Sequence, residues 1–182
     1  MKKVLVPLAE GFEEIEAVTI IDVLRRAGIE VTVAGLVAGE IKGAHGIKIG
    51  TDATLETVKD KDFDMIVLPG GMPGVDNLRK DARVISLVKK MKEKNKPIGA
   101  ICAAPLVLRD AGLTSGLRLT CYPGFDAQIP GGKFEKDRVV TDGNILTSKG
   151  PGTALEFALK IVELLDSKSK STQLSEALIS AK

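Results

Sequence analysis

The first thirty-five residues place two apolar strands on either side of one amphipathic helix. Residues 2–8 are rich in Val and Leu, and residues 29–35 read IEVTVAG, so both segments are typical of buried strands. Between them, the spacing of apolar residues predicts a helix over residues 13–26, with Gly28 as its C-cap. A strand, a helix and a strand in this order indicate a right-handed crossover in a parallel sheet. The pattern therefore predicts an α/β fold.

The rest of the chain continues this pattern as one domain over residues 1–182. Further core strands are predicted at residues 63–68, 97–101 and 144–148, and shorter ones at 117–120 and 138–141. Residues 40–50 predict a hairpin at the edge, which carries His45, the single histidine. Over residues 172–181, an apolar stripe predicts a final helix docked on the body; it contains Leu174, Ala177, Leu178 and Ala181.

Charge and composition argue against several classes of partner. The formal charge is +2, from 26 basic and 24 acidic residues, so no strong field favours nucleic acid or an anionic membrane. No apolar run is long enough to be a signal peptide or to cross a bilayer. Two cysteines do not make a disulfide scaffold, and a cytoplasmic protein is therefore expected.

Cys102 lies where the strand at residues 97–101 runs directly into a helix predicted over residues 103–111. A strand that turns sharply into a helix presents the joining residue at the carboxyl edge of the sheet, as in a nucleophile elbow. The helix end offers unpaired N–H groups and a partial positive charge, which lower the pKa of a thiol. The alternative is a small buried hydrophobe without chemistry. At this junction we favour a reactive thiol.

Glu16 falls between Val23 and Ala27, near the middle of the apolar face of the first helix. Burial there should raise the pKa of its carboxyl group, since desolvation disfavours the charged form. The alternative is a structural glutamate satisfied by neighbouring backbone. Because this helix starts at the sheet edge where Cys102 also emerges, the sequence predicts that the two residues exchange a proton.

Gly70 and Gly71 follow another buried strand and emerge at the same edge. Glycines there allow backbone N–H groups to approach a substrate oxygen, and together with the N–H of Ala103 they could form an oxyanion hole.

No set of His, Cys and carboxylate residues shows metal-ligand spacing, so no metal and no cofactor are expected. Cys121 is interpreted as a structural thiol, with a redox pair as the alternative.

Four segments, taken in order, resemble the ThiJ/PfpI superfamily and most closely its DJ-one branch. They are residues 10–16 (EGFEEIE), 67–71 (VLPGG), 100–105 (AICAAP) and 146–153 (LTSKGPGT), and the resemblance covers nearly the whole chain. It implies a flavodoxin-like three-layer sandwich with a mostly parallel sheet, usually in a homodimer. It also implies that Cys102 is the nucleophile or an oxidation sensor, that Glu16 is the buried acid bonded to it, and that Gly71 and Ala103 supply oxyanion amides.

The sequence departs from the family pattern at two positions. The protease-like branch has a histidine where this chain has Ala103, so a peptidase triad is absent. Many DJ-one members carry a histidine before the proline of a loop, where this chain has Tyr122, and acid-base work is therefore left to Glu16. By family position, His45 could serve the partner subunit's site as an accessory residue, although a lone histidine on a hairpin is ordinarily a surface residue.

The resemblance implies a cofactor-independent thiol enzyme acting on reactive 2-oxoaldehydes such as methylglyoxal, or on glycated protein. The alternative is a non-catalytic stress chaperone that senses oxidation through Cys102, and an intracellular cysteine peptidase is less favoured.

Overall fold

The computed structural model describes residues 1–180. Its strands are β1 (Lys3–Leu8), β2 (Glu30–Gly35), β3 (Glu40–Lys42), β4 (Lys48–Gly50), β5 (Ala53–Thr54), β6 (Met65–Leu68), β7 (Ile98–Ile101), β8 (Arg118–Leu119), β9 (Lys133–Phe134), β10 (Val139–Asp142) and β11 (Ile145–Ser148). Its α-helices are α1 (Glu14–Arg26), α2 (Leu55–Val58), α3 (Gly74–Lys80), α4 (Ala82–Glu93), α5 (Pro105–Asp110), α6 (Ala154–Leu165) and α7 (Lys168–Ala177).

A seven-stranded sheet forms the centre, in the order β10-β11-β7-β6-β1-β2-β5. All neighbouring strands are parallel except β10 and β11, which are antiparallel. Apolar side chains cover both faces: α2, α3, α4 and α5 contribute to the cluster on one face, and α1 and α6 to the other. The predicted α/β sandwich with a mostly parallel sheet is confirmed.

The predicted edge hairpin is formed by β3 and β4, which pair antiparallel outside the central sheet. Two backbone hydrogen bonds dock it onto the segment before α1: Gly11 N–H donates to Lys42 O at 2.8 Å and Ala44 N–H to Phe12 O at 2.9 Å. The hairpin therefore lies against the segment that leads from β1 into α1.

The predicted C-terminal helix is α7, which packs on α6 through the partly buried Leu174 and Leu178. Ser171 Oγ also donates to Leu159 O at 2.8 Å. Ala181, the last member of the predicted stripe, lies outside the described residues. Within residues 1–180, no helix combines the length and the apolar character needed to span a membrane.

Several short elements differ from the sequence-based expectation. The helix after Cys102 was expected from residue 103 but begins at Pro105, because residues 102–104 form the turn that redirects the chain. The strands β5 and β9 and the helices α2 and α3 were not predicted, and each has seven residues or fewer. Elements this short carry too few residues to show a periodic apolar pattern.

Replacement of Phe157 by alanine should destabilise the fold by about 3–5 kcal/mol, because its ring is fully buried in the core beneath α6. Leu164→Ala is the matched control on the same helix, since Leu164 is 43% exposed. Denaturant unfolding of both variants provides the measurement. Equal losses of unfolding free energy in the two variants would contradict this placement of the core.

Candidate active site

Cys102 lies at the end of β7 in a backbone conformation that only a well-supported residue adopts. Its φ is +65°, in the left-handed region, which costs a non-glycine residue about 1–3 kcal/mol. Two neighbours hold it there: Cys102 N–H donates to Ser148 O at 2.9 Å, and Tyr122 N–H donates to Cys102 O at 2.9 Å. The elbow is thus fixed by β11 on one side and by the loop that contains Tyr122 on the other.

The backbone N–H groups of Gly71 and Ala103 act on the sulfur of Cys102 so as to lower the pKa of the thiol. Burial and the negative charge of Glu16 outweigh them and raise the pKa of the thiol to about 12. This differs from the lowered pKa expected from a helix end. The physical reason is that α5 starts three residues later and that the thiol is largely desolvated.

Glu16 is fully buried on α1, as its position on the apolar face predicts. Its Oε2 accepts a hydrogen bond from the N–H of Gly70 at 2.7 Å, whereas Oε1 has no hydrogen-bond partner among residues 1–180. Desolvation raises the pKa of this carboxyl group to about 7, although Gly70 and Cys102 act in the opposite direction. Glu16 can therefore both donate and accept a proton near neutral pH.

Glu16 and Cys102 titrate as a pair, since each shifts the pKa of the other. The first proton leaves this pair near pH 7 and the second only at strongly alkaline pH. Because Oε2 is already occupied as an acceptor, the proton of the neutral acid belongs on Oε1. In the singly ionised pair the carboxylate carries the charge and the thiol keeps its proton, so the reactive thiolate forms when that proton passes from Cys102 to Glu16.

The two glycines after β6 are needed because no side chain fits between these groups. A Cβ on Gly70 would lie 2.5 Å from Cys102 Cβ and 2.6 Å from Glu16 Oε2. Gly71 has φ +95°, and a Cβ on it would lie 2.2 Å from Glu13 N. The three amides predicted to form an oxyanion hole therefore have different partners. Those of Gly71 and Ala103 act on the sulfur of Cys102, whereas the N–H of Gly70 donates to Glu16.

Tyr122 lies beside this pair with 47% of its surface exposed. Its ring packs edge-on against Phe125, with centroids 6.3 Å apart, and borders the bare backbone of Gly150.

The neighbouring Cys121 is a buried free thiol whose pKa is raised to about 11 by burial and by Asp126. Cys121 and Cys102 are both free thiols, and the structural interpretation of Cys121 stays a prediction.

His45 pairs with a carboxylate of its own chain. Its Nδ1 lies 2.9 Å from Glu14 Oε2 and 3.6 Å from Glu13 Oε2, and its backbone N–H donates to Glu14 Oε1 at 2.6 Å. Both carboxylates raise the pKa of the imidazole. Burial acts to raise the pKa of Glu14, but the bonds from His45 outweigh it and the pKa is lowered.

This cluster was not recognised from the sequence, although Glu13 and Glu14 stand beside Glu16 in the EGFEEIE segment. Its side-chain donor atoms lie within 4.8 Å of one another, close enough to hold a metal ion, because folding brings residue 45 to residues 13 and 14. In the structure His45 and Glu14 instead pair with each other. The expected absence of a metal stays a prediction.

Alkylation of Cys102 in a Cys121→Ser background should show an inflection near pH 7, where the pair loses its first proton. Glu16→Gln removes the second acid, and the inflection should then move above the ordinary thiol value of about 8.5, because the thiol remains buried. Iodoacetamide labelling rates measured from pH 5 to pH 10 test this. A single inflection near 8.5 that is the same in both proteins would contradict the pairing.

Comparison with known proteins agrees with this geometry over the length of the chain. The DJ-1/PfpI family model matches residues 2–164. Protein dj-1beta of Drosophila melanogaster is 45% identical over 99% of this chain and 98% of its own. The glutathione-independent glyoxalase DJR-1.2 of Caenorhabditis elegans is 43% identical over 95% of this chain and 93% of its own.

Longer relatives and solved structures match as well. The chain is 42% identical over 97% of its length to protein DJ-1 homolog B of Arabidopsis thaliana, but spans only 41% of that protein. The solved structure of oxidized Toxoplasma gondii DJ-1 superimposes with a TM-score of 0.96 at 40% identity, with all of both chains covered. An elbow cysteine, a buried acid and a glycine pair thus occur in a fold and a sequence shared with these proteins, and the chain belongs to the DJ-1/PfpI family.

Proposed function

We propose that this protein is a cofactor-independent thiol enzyme that converts small 2-oxoaldehydes such as methylglyoxal to 2-hydroxy acids. One observation carries the proposal: a buried acid with a pKa of about 7 adjoins a cysteine whose sulfur receives the amides of Gly71 and Ala103. A relative with 43% identity, named a glutathione-independent glyoxalase, supports the same chemistry. Proteins that carry adducts of these aldehydes are a second class of substrate, and removal of such adducts is deglycase activity.

The first chemical step is addition of the Cys102 thiolate to the aldehyde carbon. A C–S bond forms, the carbonyl electron pair moves onto oxygen, and the proton of Glu16 passes to that oxygen to give a hemithioacetal. The N–H groups of Gly71 and Ala103 lie at the sulfur, where they can also stabilise the developing oxyanion.

The second step uses the Glu16 carboxylate that the first step leaves behind. It removes the hydrogen from the first carbon and returns a proton to the second, while the hydroxyl proton moves from the first oxygen to the second. The product is a thioester of Cys102. Water then cleaves the C–S bond, which releases the 2-hydroxy acid and restores the thiol.

A redox-sensing stress chaperone is the second candidate, because the same pair could stabilise an oxidised cysteine. Peroxide would convert Cys102 to sulfenate and then sulfinate, and protonated Glu16 would donate a hydrogen bond to it. A solved relative with 40% identity, the Toxoplasma protein, is described as oxidized. A peptidase is disfavoured, since Ala103 stands where an imidazole would activate the thiol and protonate an amine leaving group.

The reduced thiols favour work in a reducing compartment, and we propose the cytoplasm. Subcellular fractionation is the direct check, and recovery of the protein in an oxidising compartment would oppose it.

Purified protein should convert methylglyoxal to lactate without glutathione or metal. Cys102→Ala should abolish this activity, and Glu16→Gln should lower kcat by about 100-fold or more, the usual contribution of a positioned acid-base group. Cys121→Ala and His45→Ala are the controls and should keep most of the activity, because neither residue is placed at the reacting atoms. Lactate itself is the quantity to measure.

The assay requires chelated, freshly reduced protein, because thiols and lysines capture aldehydes reversibly and aldehyde loss alone is ambiguous. Lactate that fails to accumulate over many turnovers would reject the enzymatic proposal in favour of the redox chaperone. Equal lactate formation by Cys102→Ala and wild-type protein would reject the role of Cys102.

We also propose a homodimer, formed through an exposed apolar patch at the start of α1. Ile15 and Val18 share one face of that helix and are 58% and 47% exposed, and Ile47 on the adjoining hairpin is 58% exposed. The hairpin places Ile47 next to this helix face, since the backbone N–H of His45, two residues earlier, donates to Glu14 Oε1 at 2.6 Å. A patch of large apolar side chains on a surface is typical of an interface.

Val18→Asp should convert the dimer to a monomer, because a charge in the centre of the patch would be desolvated without a partner. Leu164→Asp is the matched control, since Leu164 is similarly exposed but belongs to α6 and not to the patch. Light scattering after size-exclusion chromatography gives the mass. A monomeric wild-type protein, or dimers of both variants, would refute this interface.

A further inference from the structure

Oε1 of Glu16 is the one buried side-chain oxygen or nitrogen in residues 1–180 that has no hydrogen-bond partner. Buried polar groups are ordinarily satisfied, so an exception at a reactive cysteine calls for an explanation. The N–H of Gly70 bonds to the other oxygen, Oε2. Oε1 lies 4.0 Å from the position that a Cβ on Gly150 would take. The two oxygens of this carboxyl group therefore face two different parts of the site.

Gly150 leaves space beside Oε1 that any side chain would fill. Its φ is 165°, an extended conformation open to every residue, so backbone conformation does not explain the glycine. A Cβ there would lie 3.1 Å from Cδ2 and 3.6 Å from Cε2 of Tyr122. The ring edge of Tyr122 and Oε1 of Glu16 thus both lie within 4.0 Å of the same point.

We propose that Glu16 Oε1, Gly150 and Tyr122 form a subsite for the second carbon of a dicarbonyl substrate, in which Tyr122 limits the size of the group on that carbon. This inference rests on the proposed function. The Oε2 end of the carboxyl group lies near Cys102, where the first carbon is attacked, and the Oε1 end lies near Gly150. The subsite therefore requires the second carbon of the bound substrate to lie on the Gly150 side of Cys102.

The subsite assigns each group a separate role. Once Glu16 has taken the hydrogen from the first carbon, protonated Oε1 lies at the second carbon and its oxygen, and the missing side chain of Gly150 gives that oxygen room. The substituent on the second carbon then meets the Tyr122 ring. Hydrogen and methyl fit beside the ring edge, whereas a phenyl group requires the ring to move, so glyoxal and methylglyoxal are preferred over phenylglyoxal.

Kinetics with these three aldehydes test the size limit. Tyr122→Ala should raise kcat/KM for phenylglyoxal relative to glyoxal by about tenfold or more, within the range by which apolar pockets discriminate size. Tyr122→Phe should keep the wild-type ratio, because it retains the ring. Phe134→Ala is the control for loss of a partly exposed aromatic ring elsewhere on the surface, and it should also keep that ratio.

Gly150→Ala tests the oxygen subsite, because the added methyl group would contact Oε1 and the Tyr122 ring together. It should lower kcat/KM for glyoxal and methylglyoxal by about tenfold or more, since a polar group loses its partner. Labelling of Cys102 by iodoacetamide should stay within about twofold of wild type, because the thiol and its amides are untouched. Unchanged turnover in Gly150→Ala would overturn the oxygen subsite.

A measurement without turnover separates this inference from the proposed function. In a Cys121→Ser background, Tyr122→Ala should speed labelling of Cys102 by N-phenylmaleimide about tenfold and labelling by iodoacetamide less than twofold. Suppose that Tyr122→Ala changes the labelling ratio but the wild-type protein makes no hydroxy acid. That result would reject the proposed enzymatic function and support the role of Tyr122 in limiting the size of the bound group. Conversely, the protein could turn over 2-oxoaldehydes while Tyr122→Ala changes neither the substrate ratio nor the labelling ratio. That result would reject the size limit and support the proposed enzymatic function.

Discussion

The hydrogen bond from the Gly70 N–H to Glu16 Oε2 is the interaction on which the site depends. It joins the loop after β6 to α1, and it partly satisfies a carboxyl group that is fully buried. Because it fixes Oε2 as an acceptor, it decides which oxygen can carry a proton. Loss of this bond would leave a desolvated acid without orientation, and the thiol beside it would lose its proton partner.

Topology brings these groups together. The strands β1, β6 and β7 are adjacent and parallel, so the segments that follow them meet at one edge of the sheet. Glu16 comes from the helix after β1, the glycine pair from the loop after β6, and Cys102 from the end of β7. Ligand sites of open α/β sheets lie at this edge for the same reason.

The parts of the site that depend on local pattern could be predicted from the sequence. The helical period places Glu16 on a buried face, and the join between strand and helix identifies Cys102. The partner of the Gly70 amide and the His45–Glu14 pair were not predicted, because they join residues 54 and 31 positions apart. The direction of the Cys102 pKa shift was also wrong, since desolvation depends on packing that no local pattern records.

The His45–Glu14 contact makes the attachment of the β3–β4 hairpin to α1 sensitive to alkaline pH. A raised imidazole pKa means that this contact is complete below the ordinary value of about 6.5 and weakens as pH rises through the raised value. Glu14 begins the helix turn that also carries Glu16, whereas Cys102 is held by backbone bonds that do not titrate. Fraying in alkaline solution should therefore begin at the hairpin and spread towards the acid before it reaches the elbow.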